Sequence, residues 1–216
     1  MVEIGYQGTY VRFKTEDRDT AMGWMSLDNA VGDLYTIESK YENGMRSDWI
    51  VNAAGQEMGL LDAKFADKLD LMRARGWDIA TILSFVAFTE AKDDEPGLYW
   101  GEVAVIAYDP NYSKAFTGFV SRMQKEMGNG IRPDLKIGKN GLSEIVKTDG
   151  DYLPSGRKPL PQRQKGTAFV KTERSANEKL VEQAKKGNKG CYAATYLFYA
   201  VLIFAVIYGV HLLGFF

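Results

Sequence analysis

The sequence predicts an α+β fold, a mainly antiparallel sheet or small barrel with two helices, followed by a linker and a single C-terminal transmembrane helix. Two long stretches, 77–90 and 98–108, are rich in aromatic and β-branched residues and flank a short acidic turn, which is typical of a buried hairpin. Two amphipathic segments with helical spacing lie on either side of this hairpin. The last 26 residues, 191–216, contain no Asp, Glu, Lys or Arg, and a helix of that length exceeds the roughly 30 Å hydrocarbon core of a bilayer.

The first half of the chain predicts four short strands and one helix. The strands are expected at 8–13, 32–39, 49–51 and 58–61. The last two are expected to pair as a hairpin, because residues 52–55 read as a turn between them. Asp62 is the expected N-cap of the helix, in which Phe65, Leu69 and Met72 recur at helical spacing, and Gly76 is its expected stop.

The second half predicts the long hairpin, a second helix and one weaker element. Asp109 and Pro110 are the expected N-cap and first residue of a helix that ends at Gly128, with apolar residues on one side. Residues 137 and 142–146 indicate one more short element. The predicted order is β-β-β-β-α-β-β-α, which favours an antiparallel arrangement.

Composition divides the chain into three parts. Residues 1–150 are predicted to be a soluble cytosolic α+β domain, 151–190 a basic linker with a juxtamembrane helix, and 191–216 the transmembrane helix. The linker is dense in proline, which favours extended geometry. A capping box at Ser175 and Glu178 indicates the juxtamembrane helix.

Charge is distributed unevenly along the chain. Residues 157–190 carry ten Lys or Arg against three acids, a balance of +7, whereas 1–156 carry 17 basic and 25 acidic side chains, a balance of −8. Lys185, Lys186 and Lys189 lie directly before the apolar run, and basic residues beside a membrane span tend to stay cytoplasmic. We therefore expect these lysines to orient the anchor, with the N-terminal domain in the cytosol. They are also candidates for contact with lipid headgroups.

The apolar run predicts a tail-anchored, single-pass protein with its C-terminus at the far face of the membrane. A buried core helix is the alternative explanation of residues 191–216, although such helices rarely run so far without a polar face. Within the run, Ala205 and Gly209 form a small-xxx-small pair, a candidate helix–helix contact. The single cysteine, Cys191, excludes an internal disulfide and fits a reducing compartment.

The residue inventory does not indicate an enzyme, a cofactor or a metal site. The only histidine, His211, lies in the apolar run, so the N-terminal domain has no Ser/His/Asp or Cys/His arrangement and no His-containing zinc site. It also lacks a glycine-rich phosphate loop. Acidic residues at 16–19 and 93–95 offer oxygen ligands for a hard cation, but they lack calcium-loop spacing, and a solvated charged turn is the alternative.

Residues 32–69 resemble the core of HIRAN domains. In that family a Gly-Asp-hydrophobic strand ending in Glu precedes an Asp, a hydrophobic strand, a glycine turn, a Gly-Tyr-Leu-like strand and a helix. The matching positions are Gly32, Asp33, Glu38, Asp48, Ile50, Val51, Gly55, Gly59, Leu60 and Leu61. The resemblance implies a small barrel, which in some members captures the end of single-stranded DNA.

The chain departs from the HIRAN pattern at the segment "NGMRSD", residues 43–48, which replaces the family's Asn-x-x-Asp-Pro. No proline follows Asp48. The acidic balance of the N-terminal domain also opposes phosphate contact, which normally needs a basic footprint. The resemblance therefore implies the fold more than DNA binding.

Together these observations predict a non-enzymatic, tail-anchored protein whose acidic cytosolic domain binds a protein partner as an adaptor. A HIRAN-like nucleic-acid-binding domain tethered to a membrane is the first alternative. The second is an accessory subunit of a larger membrane complex, with Ala205 and Gly209 at the contact between transmembrane helices.

Overall fold

The computed structural model describes residues 4–15, 23–24, 29–90, 97–162 and 166–170. These residues belong to one compact unit, Met1–Glu173. The strands are β1 (Tyr6–Lys14), β2 (Leu34–Glu42), β3 (Met45–Val51), β4 (Glu57–Leu61), β5 (Asp78–Thr89), β6 (Leu98–Tyr108) and β7 (Thr167–Val170). The helices are α1 (Ala66–Ala74), α2 (Ser113–Gly128) and α3 (Lys139–Lys147), with short 3₁₀ turns before α1 and α2.

Six antiparallel strands close into a barrel. Their order is β2-β3-β4-β1-β6-β5, and the first residues of β2 pair with β5 to close the circuit. The predicted α+β class and small antiparallel barrel are therefore confirmed. The seventh strand, β7, pairs with the second half of β5.

Every second side chain along the strands points inward, and these side chains fill the inside of the barrel. Val103, Val105 and Ala107 of β6 are fully buried in the interior cluster, because side chains two residues apart share one face of a strand. From α1, Leu69 and Met72 join the same cluster with no exposed surface. The barrel therefore has an apolar, side-chain-filled interior.

The outer face of β6 is covered by α2. Ala104 and Ile106, which alternate with the interior residues, form a second cluster with Phe116 and Phe119 of α2. Since both faces of β6 are buried, the near-continuous apolar pattern of this strand has a direct explanation.

A β-bulge interrupts β5 at Ser84. The register with β6 shifts between Leu83 and Phe85. Leu83 and Val86 both face the interior cluster, while Phe85 lies in a separate outer cluster with Trp100. The bulge leaves Ser84, which is 4% exposed, on the outer side of the barrel beside the site described below.

Part of the segment that the sequence predicts as linker pairs with the barrel unit. Pro133 and Arg157 form an antiparallel bridge, and the amide of Lys158 donates to the carbonyl of Arg132 at 2.8 Å. Further on, β7 pairs with β5 from Thr167 opposite Thr89. The described residues 151–162 and 166–170 thus belong to the compact unit of the barrel.

The predicted juxtamembrane helix and transmembrane helix lie outside the described residues. In the part of the chain that the structure does describe, no helix combines the length and the apolar character needed to cross a bilayer.

Candidate functional site

A buried arginine organises the outer wall of the barrel where the chain returns after α2. The Arg132 side chain is 4% exposed, and its guanidinium contacts the carboxylate of Glu102 on β6. Its Nε donates to the Ser84 hydroxyl at 2.8 Å and its Nη1 to the Pro159 carbonyl at 2.8 Å. These bonds satisfy a charge that would be costly to bury alone. Arg132 therefore fastens the segment around residue 159 to the barrel.

Two aromatic rings of the barrel wall flank this arginine. The Arg132 Cζ lies 4.6 Å from the ring centroid of Tyr10 and 5.0 Å from that of Phe85. The ammonium of Lys158 also lies over Tyr10, 4.8 Å from its ring centroid. Cations at such distances are attracted to the negative face of the ring. Tyr10 is thus in contact with two positive charges.

Two tyrosine hydroxyls of β1 hold the segment that follows Arg132. Tyr10 donates to the carbonyl of Pro133 at 2.8 Å, and Tyr6 donates to that of Leu135 at 3.0 Å. Burial raises the pKa of both tyrosines well above the ordinary value, and for Tyr10 the positive charge of Arg132 opposes part of that rise. Both side chains therefore stay protonated and act as hydrogen-bond donors at neutral pH.

A pocket of about 340 Å³ opens beside Tyr10. We call it the basic pocket, and it is lined by Gly8, Thr9, Tyr10, Asp134, Leu135, Lys136, Arg157, Lys158 and Pro159. Three of these residues are cationic and one is anionic. The lining of the pocket therefore carries a net positive charge.

A second depression of about 360 Å³ lies where β1, β4 and β6 meet. We call it the tryptophan groove, and it is lined by Arg12, Phe13, Lys14, Leu60, Leu61, Asp62, Ala63, Leu98 and Trp100. The Arg12 Cζ lies 4.2 Å from the Trp100 ring centroid, and Leu98 is 37% exposed. The groove thus combines apolar surface with two cations, Arg12 and Lys14, and one carboxylate, Asp62.

The residues matched to the HIRAN pattern contribute to the fold itself, and Asp48 is the first example. The Asp48 carboxylate is buried, accepts hydrogen bonds from the Ser39 hydroxyl and from Arg46 Nε, and lies next to a second ion pair between Arg46 and Asp70 of α1. The hydrogen bond that the Arg46 guanidinium donates to Asp70 raises the pKa of Arg46, and desolvation opposes part of this rise. This network ties the β2–β3 hairpin to α1.

The remaining matched residues shape the backbone and the core. Gly32 has φ +94° and its backbone lies against α2, where a Cβ would come within 2.6 Å of the Gln124 carbonyl. At Gly59 a Cβ would meet the Phe13 ring at 2.8 Å. Ile50 and Val51 are buried, whereas Leu60 lines the tryptophan groove. Asp33 accepts a hydrogen bond from the amide of Ala30.

The other matched positions are spread along the first strands and turns. Glu38 lies in β2 opposite Trp49 of β3. Gly55 occupies the turn before β4 with φ +78°. Leu61 is buried in the interior cluster. The structure therefore does not bring the matched residues together into one polar site.

The predicted membrane-contact residues lie outside the described part of the chain. This applies to Lys185, Lys186, Lys189, Ala205 and Gly209, and equally to the acidic residues at 16–19 and 93–95. Among the residues that are described, no three His, Cys, Asp or Glu side chains lie close enough together to hold a metal ion.

Sequence reasoning did not identify the residues of the basic pocket. Arg157 and Lys158 contributed only to the charge of the predicted linker, and Arg132 fell in a stretch with weak secondary-structure signal. The one available hint was the arginine in "GIRPD", which has an apolar residue directly before it and a proline directly after it.

Comparison with known proteins adds no relative from which a role could be inferred. No protein family, curated protein or solved structure matches this chain.

Proposed function

We propose that the chain is a tail-anchored, single-pass membrane protein whose barrel domain works in the cytosol as a protein-binding module. The membrane part of the proposal rests on the sequence. The uncharged run 191–216 is long enough to span a bilayer, and Lys185, Lys186 and Lys189 precede it on the side expected to remain cytosolic.

The observation that supports a binding role for the barrel is the tryptophan groove. The barrel interior is filled by its own side chains, so a partner must use the outer surface. The groove offers the exposed side chain of Leu98 as an apolar contact, and Arg12 and Lys14 add two cations to its lining. Neither cation forms an ion pair with any described residue. An extended protein segment that carries an apolar side chain next to a carboxylate has the matching chemistry.

A second candidate is binding of single-stranded nucleic acid by the same groove. The cations Arg12 and Lys14 suit phosphates, and the HIRAN resemblance points in the same direction. The −8 balance of residues 1–156 opposes this candidate, because phosphate backbones favour a strongly basic surface. We therefore place protein binding first.

The membrane part is tested by fractionation of the full chain and of a form that ends at Gly190. The full chain should pellet with membranes and resist alkaline extraction, while the shortened form should be released. If the shortened form still resists extraction, the anchor does not lie in residues 191–216. Migration of the purified full chain as a lone monomer in mild detergent would argue against the accessory-subunit alternative.

The binding part is tested by selecting displayed peptides against the full chain in neutral detergent. Enriched peptides should combine a carboxylate with an aromatic or aliphatic residue, and their affinity should fall in Arg12→Gln and Leu98→Gln. The matched control is Lys125→Gln, an exposed position on α2. Single-stranded oligonucleotides form the second arm. If they bind tightly, with steep salt dependence, and the peptides do not, the nucleic-acid candidate replaces the first.

A further inference from the structure

The basic pocket has walls that are fixed by several independent hydrogen bonds. On one side, the hydroxyls of Tyr6 and Tyr10 hold the carbonyls of Leu135 and Pro133. On the other side, Arg132 donates to the Pro159 carbonyl at 2.8 Å. The two walls are joined by the amide of Asp134, which donates to the carbonyl of Gly156 at 2.9 Å. The pocket is therefore shaped before any ligand arrives.

The positive charge inside the basic pocket is only partly neutralised by the protein. Lys136 and Arg157 form no ion pair with any described residue. Lys158 has one long contact, 3.8 Å from its Nζ to the Glu102 carboxylate, and Glu102 is already engaged by Arg132. The single carboxylate of the lining, Asp134, accepts the backbone amide of Lys136 at 3.0 Å. The pocket thus has an excess of positive charge available to a ligand.

The residue types favour a phosphate group among anions. A guanidinium can hold two phosphate oxygens at once, and lysine ammonium groups add point charges around a multiply charged anion. A single carboxylate has fewer oxygens with which to engage three cations. The volume of about 340 Å³ is at the small end of ligand sites, which suits a phosphate with a short organic substituent.

We propose that the basic pocket binds a phosphate monoester through Lys136, Arg157 and Lys158. The group can be carried by a soluble phosphorylated molecule or by a phospholipid headgroup. The proposal does not depend on the tryptophan groove, and its soluble arm does not depend on the membrane anchor.

The test uses the full chain in neutral detergent micelles, with glycerol 1-phosphate as the soluble probe. A second arm uses the same chain in nanodiscs of phosphatidylcholine with or without phosphatidic acid. Hydrogen–deuterium exchange at residues 132–136 and 156–159 reports occupation, because the amides of Asp134 and Lys158 belong to the pocket walls. Titration of the probe gives an affinity for each variant.

Occupied pockets should show slower exchange in both segments, and each of Lys136→Gln, Arg157→Gln and Lys158→Gln should weaken binding roughly fivefold. Lys125→Gln is the charge-matched control and should leave binding unchanged. Protection by glycerol 1-phosphate alone assigns a soluble ligand, and protection by phosphatidic acid alone assigns a headgroup. Absence of protection in both arms, or equal protection in the triple glutamine variant, would overturn the proposal.

Discussion

The guanidinium of Arg132 meets the carboxylate of Glu102 on the outer wall of the barrel, and both side chains are largely buried. The two residues come from different parts of the chain, since Glu102 lies in the middle of β6 and Arg132 follows α2. Their contact is the point at which the returning chain is fixed to the sheet. The contribution of this contact to the free energy of unfolding can be measured directly.

Arg132→Met should lower the free energy of unfolding by about 3 kcal/mol, because it leaves Glu102 without its main partner in a buried site. Glu102→Gln in the same background should cost less than it does alone. A double-mutant cycle followed by urea denaturation measures this coupling. Strict additivity of the two changes would show that the pair does not interact in solution.

Tyr6→Phe should change the response of stability to alkaline pH. Burial raises the pKa of Tyr6 above its ordinary value of 10.0, so the unfolded chain loses this proton at a lower pH than the folded protein. Stability is therefore fully present below about pH 10 and falls as pH rises further, by up to about 1.4 kcal/mol per pH unit for one proton.

The measurement is the free energy of unfolding in urea at successive pH values above and below about 10. In Tyr6→Phe the alkaline decline should be shallower than in the unchanged protein, although its stability at neutral pH should be lower because the bond to Leu135 is lost. An identical alkaline slope in both proteins would contradict the burial of Tyr6.

Gly101→Ala should destabilise the fold, whereas Gly128→Ala should not. At Gly101 in β6, a Cβ would lie 2.2 Å from the Phe85 carbonyl and 2.6 Å from the Phe13 ring, and such overpacking typically costs about 1–3 kcal/mol. At Gly128, the last residue of α2, the nearest atom to a Cβ is 3.5 Å away. Alanine there should be neutral or stabilise the helix by up to about 1 kcal/mol. Thermal unfolding of the two variants provides the comparison.

Phe169→Ala tests the pairing of β7 with β5. The Phe169 ring packs edge-on against Phe85 at 5.6 Å between centroids, so its removal should lower the free energy of unfolding by about 1–2 kcal/mol. Leu160→Ala, at a side chain that is 46% exposed, is the control and should change stability by less than about 0.5 kcal/mol. Equal effects of both changes would indicate that β7 does not pack on the barrel.

The six barrel strands and the first two helices could be predicted because their signals are local. The strand β6, for example, is a near-continuous run of apolar residues. The helices α1 and α2 have recognisable N-cap and stop residues. One local signal was overlooked. Asn43 and Gly44, both with positive φ, form the tight turn between β2 and β3 that an Asn-Gly pair typically favours. The prediction of β2 therefore stopped at residue 39 and missed the first residues of β3.

The basic pocket and β7 could not be predicted from local patterns. Lys158 belongs to the pocket because Arg132, 26 residues earlier in the chain, is held by Glu102 and Ser84. Nothing in the proline-containing stretch around Lys158 indicates such a partner, and prolines there equally favour an extended linker. Contacts between such distant segments depend on tertiary packing. The composition and periodicity of a single segment do not predict them.

The short pairing of β7 has a mechanical consequence. Tension applied from the C-terminal side of the chain reaches β7 before any barrel strand, since β7 is the last described element. It is held to β5 by four residue pairs, whereas β5 and β6 share 11. A pull should therefore peel β7 away first and extend the chain, while the closed barrel keeps its shape.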